Sequence, residues 1–259
     1  MIGLTKFSKY SDDDIATAQR VGAQAISSLL GQDTMPGMKL YHNVIAEQLD
    51  APTKYLKSVL GKIATARQVG VSHFDLHYYP NSRGSGYGWA WNNGEQFCSW
   101  WLPVYYGIKE EFPDLHIGYP KLEMGTGIGD YRCSSRQFMA DSWPAIEAAD
   151  FLSALTTWDD NGDDGVSRSI WYMYYLSEKI NKDLTVTFYN SNNNVAKRRK
   201  AEQYITFYEE MRNLDNVIAA FCHTLSSPED SEVWATWRSD SGESPIPSLV
   251  ARYIRGLDS

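Results

Sequence analysis

Cysteine is scarce and shows no pairing pattern: the chain holds three, Cys98, Cys133 and Cys222, with no Cys-x-x-Cys pair. That sets aside a disulfide framework and a cysteine-built metal site, and buried thiols are expected. Positive charge is short as well, with 24 Lys and Arg against 32 Asp and Glu for a formal net charge of -8. Nucleic-acid binders concentrate positive charge that displaces counterions from phosphates, so no nucleic-acid partner is expected. No apolar run reaches membrane-spanning length, and Met1-Ile2-Gly3-Leu4-Thr5-Lys6 lacks the charged stretch and apolar core of a secretory signal. The chain as given is expected to be soluble and cytoplasmic, with no membrane partner; secretion or a virion location stays open. No Gly-x-Gly-x-x-Gly follows the first apolar run, which removes the main support for a dinucleotide-binding sheet, and no cofactor is expected.

Aromatic residues are plentiful: 14% of the chain, with nine Trp and seventeen Tyr, which suits a barrel core or a sugar-stacking cleft. Short apolar runs alternate with longer amphipathic ones entered through polar caps. Strands are expected at Ile2–Thr5, Met38–Tyr41, Ser72–Tyr79, His116–Tyr119, Phe151–Thr157, Leu184–Tyr189 and Val217–Leu225. The first helix starts at Ser11-Asp12-Asp13-Asp14 and is read through Ile15, Ala18, Val21, Ala25 and Leu29 to Gly31. Further helices are expected from Pro52, over 95–112 with a bend at Pro103, and over 135–149, 167–180, 195–211 and 247–255. Regular β-then-α units imply a parallel sheet with right-handed crossovers, and a closed TIM-type (β/α) barrel over a single domain, 1–259, is the expected fold class. Seven strands are recognisable where a full barrel has eight. The barrel is therefore short by one βα unit, or the Trp234–Trp237 segment supplies an irregular piece.

In such barrels the functional groups stand at the carboxyl ends of the strands. The stretch Phe74-Asp75-Leu76-His77-Tyr78-Tyr79-Pro80-Asn81 resembles the clan A glycoside hydrolase strand that ends Asn-Glu-Pro-Asn: Pro80 and Asn81 match, and Tyr79 stands at the acid/base glutamate. Leu184-Thr185-Val186-Thr187-Phe188-Tyr189 resembles the strand reading Thr-Glu-Phe, with Phe188 at the nucleophile. The two positions lie three strands apart, which is the separation of strands four and seven in that clan and places the missing unit before strand three. Val217-Ile218-Ala219-Ala220-Phe221, Ser226-Ser227, Trp234 and Trp237 resemble the clan's last strand and tryptophan loop. The resemblance covers most of residues 70–255 and implies a carbohydrate ligand.

Glycoside hydrolysis needs two carboxyl groups about 5 to 9.5 Å apart, according to stereochemistry. A phenol with a pKa near 10 is a poor acid at neutral pH, and a phenyl ring is neither acid nor nucleophile. Relocated carboxylates would come from Glu123, after strand four, or Asp159 and Asp160, after strand five; loop carboxylates are more often simply solvated. Asp75 lies deep in its strand, where a buried polar network is favoured over catalysis. The run from Asp159 to Gly165 places oxygens at alternate positions, yet lacks the glycine and the terminal glutamate of a calcium loop, so it reads as a helix cap. The histidines are expected to pack, and no metal is expected. Lys197-Arg198-Arg199-Lys200 reads as a solvated helix face. A glycan would be held by His77, Tyr78, Asn81, Trp89, Trp158, Tyr189 and Trp234, at or beyond strand ends, with Trp91 nearby.

Three functions fit. The first is a glycoside-hydrolase-like barrel without the standard pair, acting as a carbohydrate-binding or scaffold pseudoenzyme. The second is an active glycosidase using Glu123 or Asp159/Asp160. The third is a structural or assembly protein, for example of a virion. Glycan or polysaccharide is the expected partner in the first two, and the oligomeric state stays open.

Overall fold

Helix entry follows the expected chemistry at the first polar cluster. The Asp14 N–H donates to Ser11 Oγ at 3.2 Å and the Ser11 N–H donates to the Asp14 carboxylate at 2.9 Å, a capping box that starts α1 (Asp12–Arg20). The computed structural model describes residues 1–6, 10–31, 34–45, 47, 49–125, 127–225, 237–239 and 242–257. Strand β1 (Ile2–Thr5) precedes α1; β2 (Ala25–Leu29) and β3 (Leu40–Ile45) follow it. Next come α2 (Pro52–Gln68), β4 (His73–Leu76), α3 (Gly94–Glu111), β5 (His116–Tyr119), α4 (Ser135–Asp141), α5 (Trp143–Ala148) and β6 (Phe151–Trp158). The chain continues through α6 (Asp164–Lys179), β7 (Asp183–Asn190), α7 (Lys197–Met211), β8 (Val217–Cys222), a short β9 (Arg238–Ser239) and β10 (Gly242–Glu243) hairpin, and α8 (Pro245–Leu257).

Strands β1 to β8 form a closed barrel in chain order, so the expected TIM-type (β/α) fold is present with all eight strands. The strand that sequence reading leaves out is β2. Its residues, Ala-Ile-Ser-Ser-Leu, are buried at the first four positions, so no alternation marks it, and Ala25 and Leu29 happen to continue the helical spacing of α1. The helix in fact stops at Arg20, and Gly22, at φ +66, turns the chain. Trp237 belongs to the segment before the β9–β10 hairpin, outside the barrel, and Trp234 and Ser226-Ser227 lie outside the described residues. The helix expected over 135–149 is two, broken at Ser142, whose hydroxyl donates to the Phe138 carbonyl at 2.6 Å. α3 runs on through Pro103.

Contacts divide the chain into two compact units: Met1–Ser28, Gln32–Leu40 and Thr156–Ser259 make one, Leu29–Gly31 and Tyr41–Leu155 the other. In the first, parallel pairing runs from β7 to β8, β8 to β1 and β1 to β2. In the second, β3, β4, β5 and β6 pair in turn, with His42, His73 and His116 in register across three strands. All three cysteines are free; Cys98 and Cys222 are buried. Among the described residues no helix is long and apolar enough to cross a membrane, and no cluster of three or more His, Cys, Asp or Glu is placed to hold a metal.

Candidate functional site

β4 ends at Leu76, three residues short of its expected limit. Beyond it the backbone turns sharply: His77 and Tyr79 adopt φ 85 and 50, the left-handed region that costs a non-glycine residue about 1–3 kcal/mol. What holds this turn is Asn81, fully buried. Its amide donates to the carbonyls of Glu123 (2.9 Å) and Cys133 (3.0 Å), and its Oδ1 accepts from the Glu123 N–H (2.8 Å). The Tyr79 N–H donates to the Lys121 carbonyl at 2.8 Å, and the Arg83 N–H to that of Tyr131 at 2.8 Å. The segments after β4 and β5 are thus stitched together by main-chain bonds.

The turn presents a band of rings. Tyr78 and Tyr79 meet edge to face at 5.1 Å and are half-buried, and His77 lies 5.8 Å from both Tyr78 and Trp91. Trp91 is core, its indole N–H donating to the Pro80 carbonyl at 2.5 Å. Gly86, at φ +119, permits this, because a Cβ there would stand 2.2 Å from the Trp91 ring. Trp89, two residues before, is 58% exposed. Burial pushes the His77 imidazole down to about 4, so the ring is neutral near pH 7. Its Nδ1 sits 2.8 Å from the Tyr78 N–H and 2.7 Å from the Tyr78 carbonyl, pairing with one or the other according to tautomer.

Beneath the turn is a polar cluster that sequence reading identifies only at Asp75. The Asp75 carboxylate, fully buried, accepts from Ser153 Oγ of β6 at 2.8 Å and lies 3.2 Å from His42 Nε2 of β3. Gly118 of β5 makes room, since a Cβ there would stand 2.5 Å from the carboxylate. Lys121 is buried too; desolvation lowers its pKa and the Asp75 charge opposes that shift. His42, Lys121 and Ser153 come from three different segments, so no spacing announces them. Asp75 thus accepts one hydrogen bond, at Oδ1, and turns Oδ2, which accepts none among the described residues, toward the His42 ring, so it belongs to a buried polar network of the barrel. Glu123 is different: its side chain is 37% exposed, with Arg132 Nη1 3.6 Å away.

β7 keeps its alternation to the end. Phe188 is fully buried in an aromatic layer with Phe207 (4.4 Å), Tyr208 (4.9 Å) and Tyr204 (5.7 Å) of α7. Thr185, Thr187 and Tyr189 therefore occupy the face away from α7, which is the inner face of a barrel strand. The side chain at the inner strand end is Tyr189; Phe188 points into the helix layer. The difference arises because the Thr-Glu-Phe likeness carries no information on which face a residue takes. Trp158 joins the same layer, 4% exposed, stacked 6.2 Å from Phe188 with its N–H donating to Gln203 Oε1 at 3.0 Å. It is packed against protein on the faces a sugar would need.

The acidic run after β6 is tied to structure at Asp160 and Asp163. Asp160 Oδ2 accepts from the Gly165 N–H at 2.6 Å at the start of α6, and Asp163 pairs with Arg199 at 2.6 Å. Asp159 is exposed, its carbonyl accepting from Asn192 at 2.6 Å. The basic run is only partly solvated: Lys200 is buried and donates to the Asn190 carbonyl at 3.0 Å, and burial lowers its pKa to about 8. His223, one of the histidines expected to pack, directly follows β8. Its Nδ1 lies 2.9 Å from Thr5 Oγ1 and its ring 5.1 Å from Tyr189. Trp234 lies outside the described residues.

No family model and no curated protein matches the chain. Solved structures do. A GH128 (subgroup II) endo-beta-1,3-glucanase from Sorangium cellulosum is 14% identical, with a TM-score of 0.74 over 96% of each chain. A mutant GH128 (subgroup I) endo-beta-1,3-glucanase from Amycolatopsis mediterranei, in complex with laminarihexaose, is 13% identical, with a TM-score of 0.71 over 97% of this chain and 98% of that one. A GH128 (subgroup III) curdlan-specific exo-beta-1,3-glucanase from Blastomyces gilchristii, in complex with glucose, is 12% identical, with a TM-score of 0.66 over 96% of this chain and 97% of that one. At these identities the likeness is one of fold: the chain shares the (β/α) barrel of these glucanases.

Proposed function

We propose that residues 1–259 act as one domain that binds a glycan without the standard acid/base and nucleophile carboxylates. The observation that carries this reading is the character of the two strand ends. Tyr79 stands after β4, and β7 ends with Tyr189 on its inner face and Phe188 against α7. Neither phenol nor phenyl supplies the proton donor and nucleophile that hydrolysis requires. Two of the carboxylates considered each have one oxygen engaged within the fold: Asp160 Oδ2 with the Gly165 N–H at the start of α6, and Asp75 Oδ1 with Ser153.

Tyr78, Tyr79 and Trp89, after β4, would carry a sugar chain, aromatic faces packing on pyranose C–H surfaces, while His77 is buried beneath them. The laminarihexaose complex of the Amycolatopsis glucanase supports a β-1,3-linked glucan as the first probe. Calorimetric titration with laminarihexaose is expected to show binding, weakened at least tenfold by Trp89→Ala and by Tyr79→Ala, with no release of reducing sugar on prolonged incubation. Absence of binding at millimolar concentrations would sink the glycan reading and leave a scaffold or assembly role.

A second reading, an active hydrolase, is favoured by one observation: Glu123 is partly exposed and fixed beside Asn81 by its own main chain. It requires turnover of a β-glucan that is lost in Glu123→Gln or Asp159→Asn. Turnover unchanged in both variants would remove these residues from the mechanism.

A further inference from the structure

The outer face of α6 is independent of either strand end. The helix buries Gly165, Val166, Ser169, Met173 and Leu176 and leaves its opposite side in water. There Trp171 is 76% exposed and Tyr175, one turn later, 56%. Ser167 and Arg168 before this pair and Glu178 and Lys179 after it are exposed as well. At the helical repeat, all six fall within a sector of about 120°, a single stripe. Exposing a tryptophan to this degree beside a second ring leaves apolar surface in water that association would remove.

The order of residues along the stripe selects the occupant. We infer that the α6 face pairs with the same face of a second copy of this chain, antiparallel about a two-fold axis level with Met173. Such an axis sets Trp171 against Tyr175 of the partner subunit, and Arg168 against Glu178 of the partner subunit, each contact occurring twice. Ser167 meets the partner's Lys179, so no like charges face each other. A parallel pairing would instead set Arg168 on its own copy. Within the chain, Arg168 and Glu178 make no ion pair among the described residues, which leaves both available across the axis. Two-fold interfaces of this self-complementary kind are the commonest in soluble oligomers.

The area sets the strength. Rings of this size bury about 150–250 Å² when fully covered. At the observed exposures the four rings of a pair therefore remove roughly 500 Å², below the about 1,200 Å² of stable complexes. The pairing is a weak, reversible dimer.

Sedimentation equilibrium on the full chain from micromolar to millimolar concentration tests it. A monomer–dimer equilibrium is expected, weakened at least tenfold by Trp171→Ala, a variant that leaves the melting temperature unchanged because the ring is exposed. Arg168→Glu and Glu178→Arg should each weaken self-association, while an equimolar mixture of the two variants should form heterodimers, because both contacts across the axis then pair opposite charges. A wild-type chain monomeric at millimolar concentration, a Trp171→Ala dimer of unchanged strength, or a variant mixture without heterodimers would each overturn the inference. So would a chain that stays monomeric while its Trp171 fluorescence, lost in Trp171→Ala, responds to laminarihexaose; the face would then belong to a glycan.

Discussion

The ends of β4 and β7 occupy equivalent places in the resemblance to glycoside hydrolases, yet they are built on opposite principles. β7 runs for eight residues, with a register shift against β8 between Leu184 and Thr185, and near its end Phe188 is sealed against α7. β4 stops after four residues, and a strained turn at His77 and Tyr79 is held by Asn81, whose side-chain amide donates to the Glu123 and Cys133 carbonyls of the segment after β5. The β7 end is therefore set by core packing and the β4 end by hydrogen bonds. Backbone strain supported by a buried polar clamp is the usual mark of a functional turn, which directs attention to the β4 side for ligand binding.

The sharpest way to test that contrast is Phe188→Ala. Removing a fully buried ring from the layer with Phe207, Tyr204 and Tyr208 should cost about 3–5 kcal/mol in urea unfolding. A cost below 1 kcal/mol would mean that Phe188 is not core. On the β4 side, Asn81→Ala leaves the Glu123 N–H without its partner and should cost about 2 kcal/mol. It should also weaken laminarihexaose binding, whereas a stability loss with unchanged affinity would separate the clamp from the ligand.

Acid should act through β4, which carries His73, while β7 carries no histidine. Burial, followed by the neighbouring His116 and His42, depresses the His73 pKa to about 3. An unfolded chain takes up this proton below about pH 6.5 and the folded chain does not, so the stabilisation is complete above pH 6.5 and declines as pH falls toward 3. His73 should contribute about 1–2 kcal/mol to the loss between pH 7 and 5 by urea midpoints, and His73→Phe should remove that share of the slope, leaving the share due to His77. An unchanged slope in that variant would assign the acid sensitivity elsewhere. The smallest effect belongs to Tyr189→Phe, which keeps the ring at the inner end of β7 and should change stability by less than about 1 kcal/mol. A larger loss would mean that its hydroxyl supports the fold.

Much of the fold is legible along the chain because its signals are local. Ser11 to Asp14 form the cap they spell, Pro52 opens α2, and the apolar runs at 116–119, 151–157 and 184–189 are strands. The Pro80-Asn81 match also points to the segment where the chain leaves β4. β2 is less visible, since a short strand buried at most positions shows no period, and its apolar residues extend the rhythm of α1.

Local spacing by itself settled seven of the eight barrel strands and the helices between most of them, because caps, turns and amphipathic periods depend on residues a few positions apart, while β2 and the closure of the barrel were decided by tertiary pairing. The face taken by Phe188, the packing of Trp158 against α7 and the assembly of His42, Asp75 and Ser153 were settled by tertiary contact. These depend on residues brought together from distant strands and helices, and burial against a partner far along the chain leaves no mark in the order of residues.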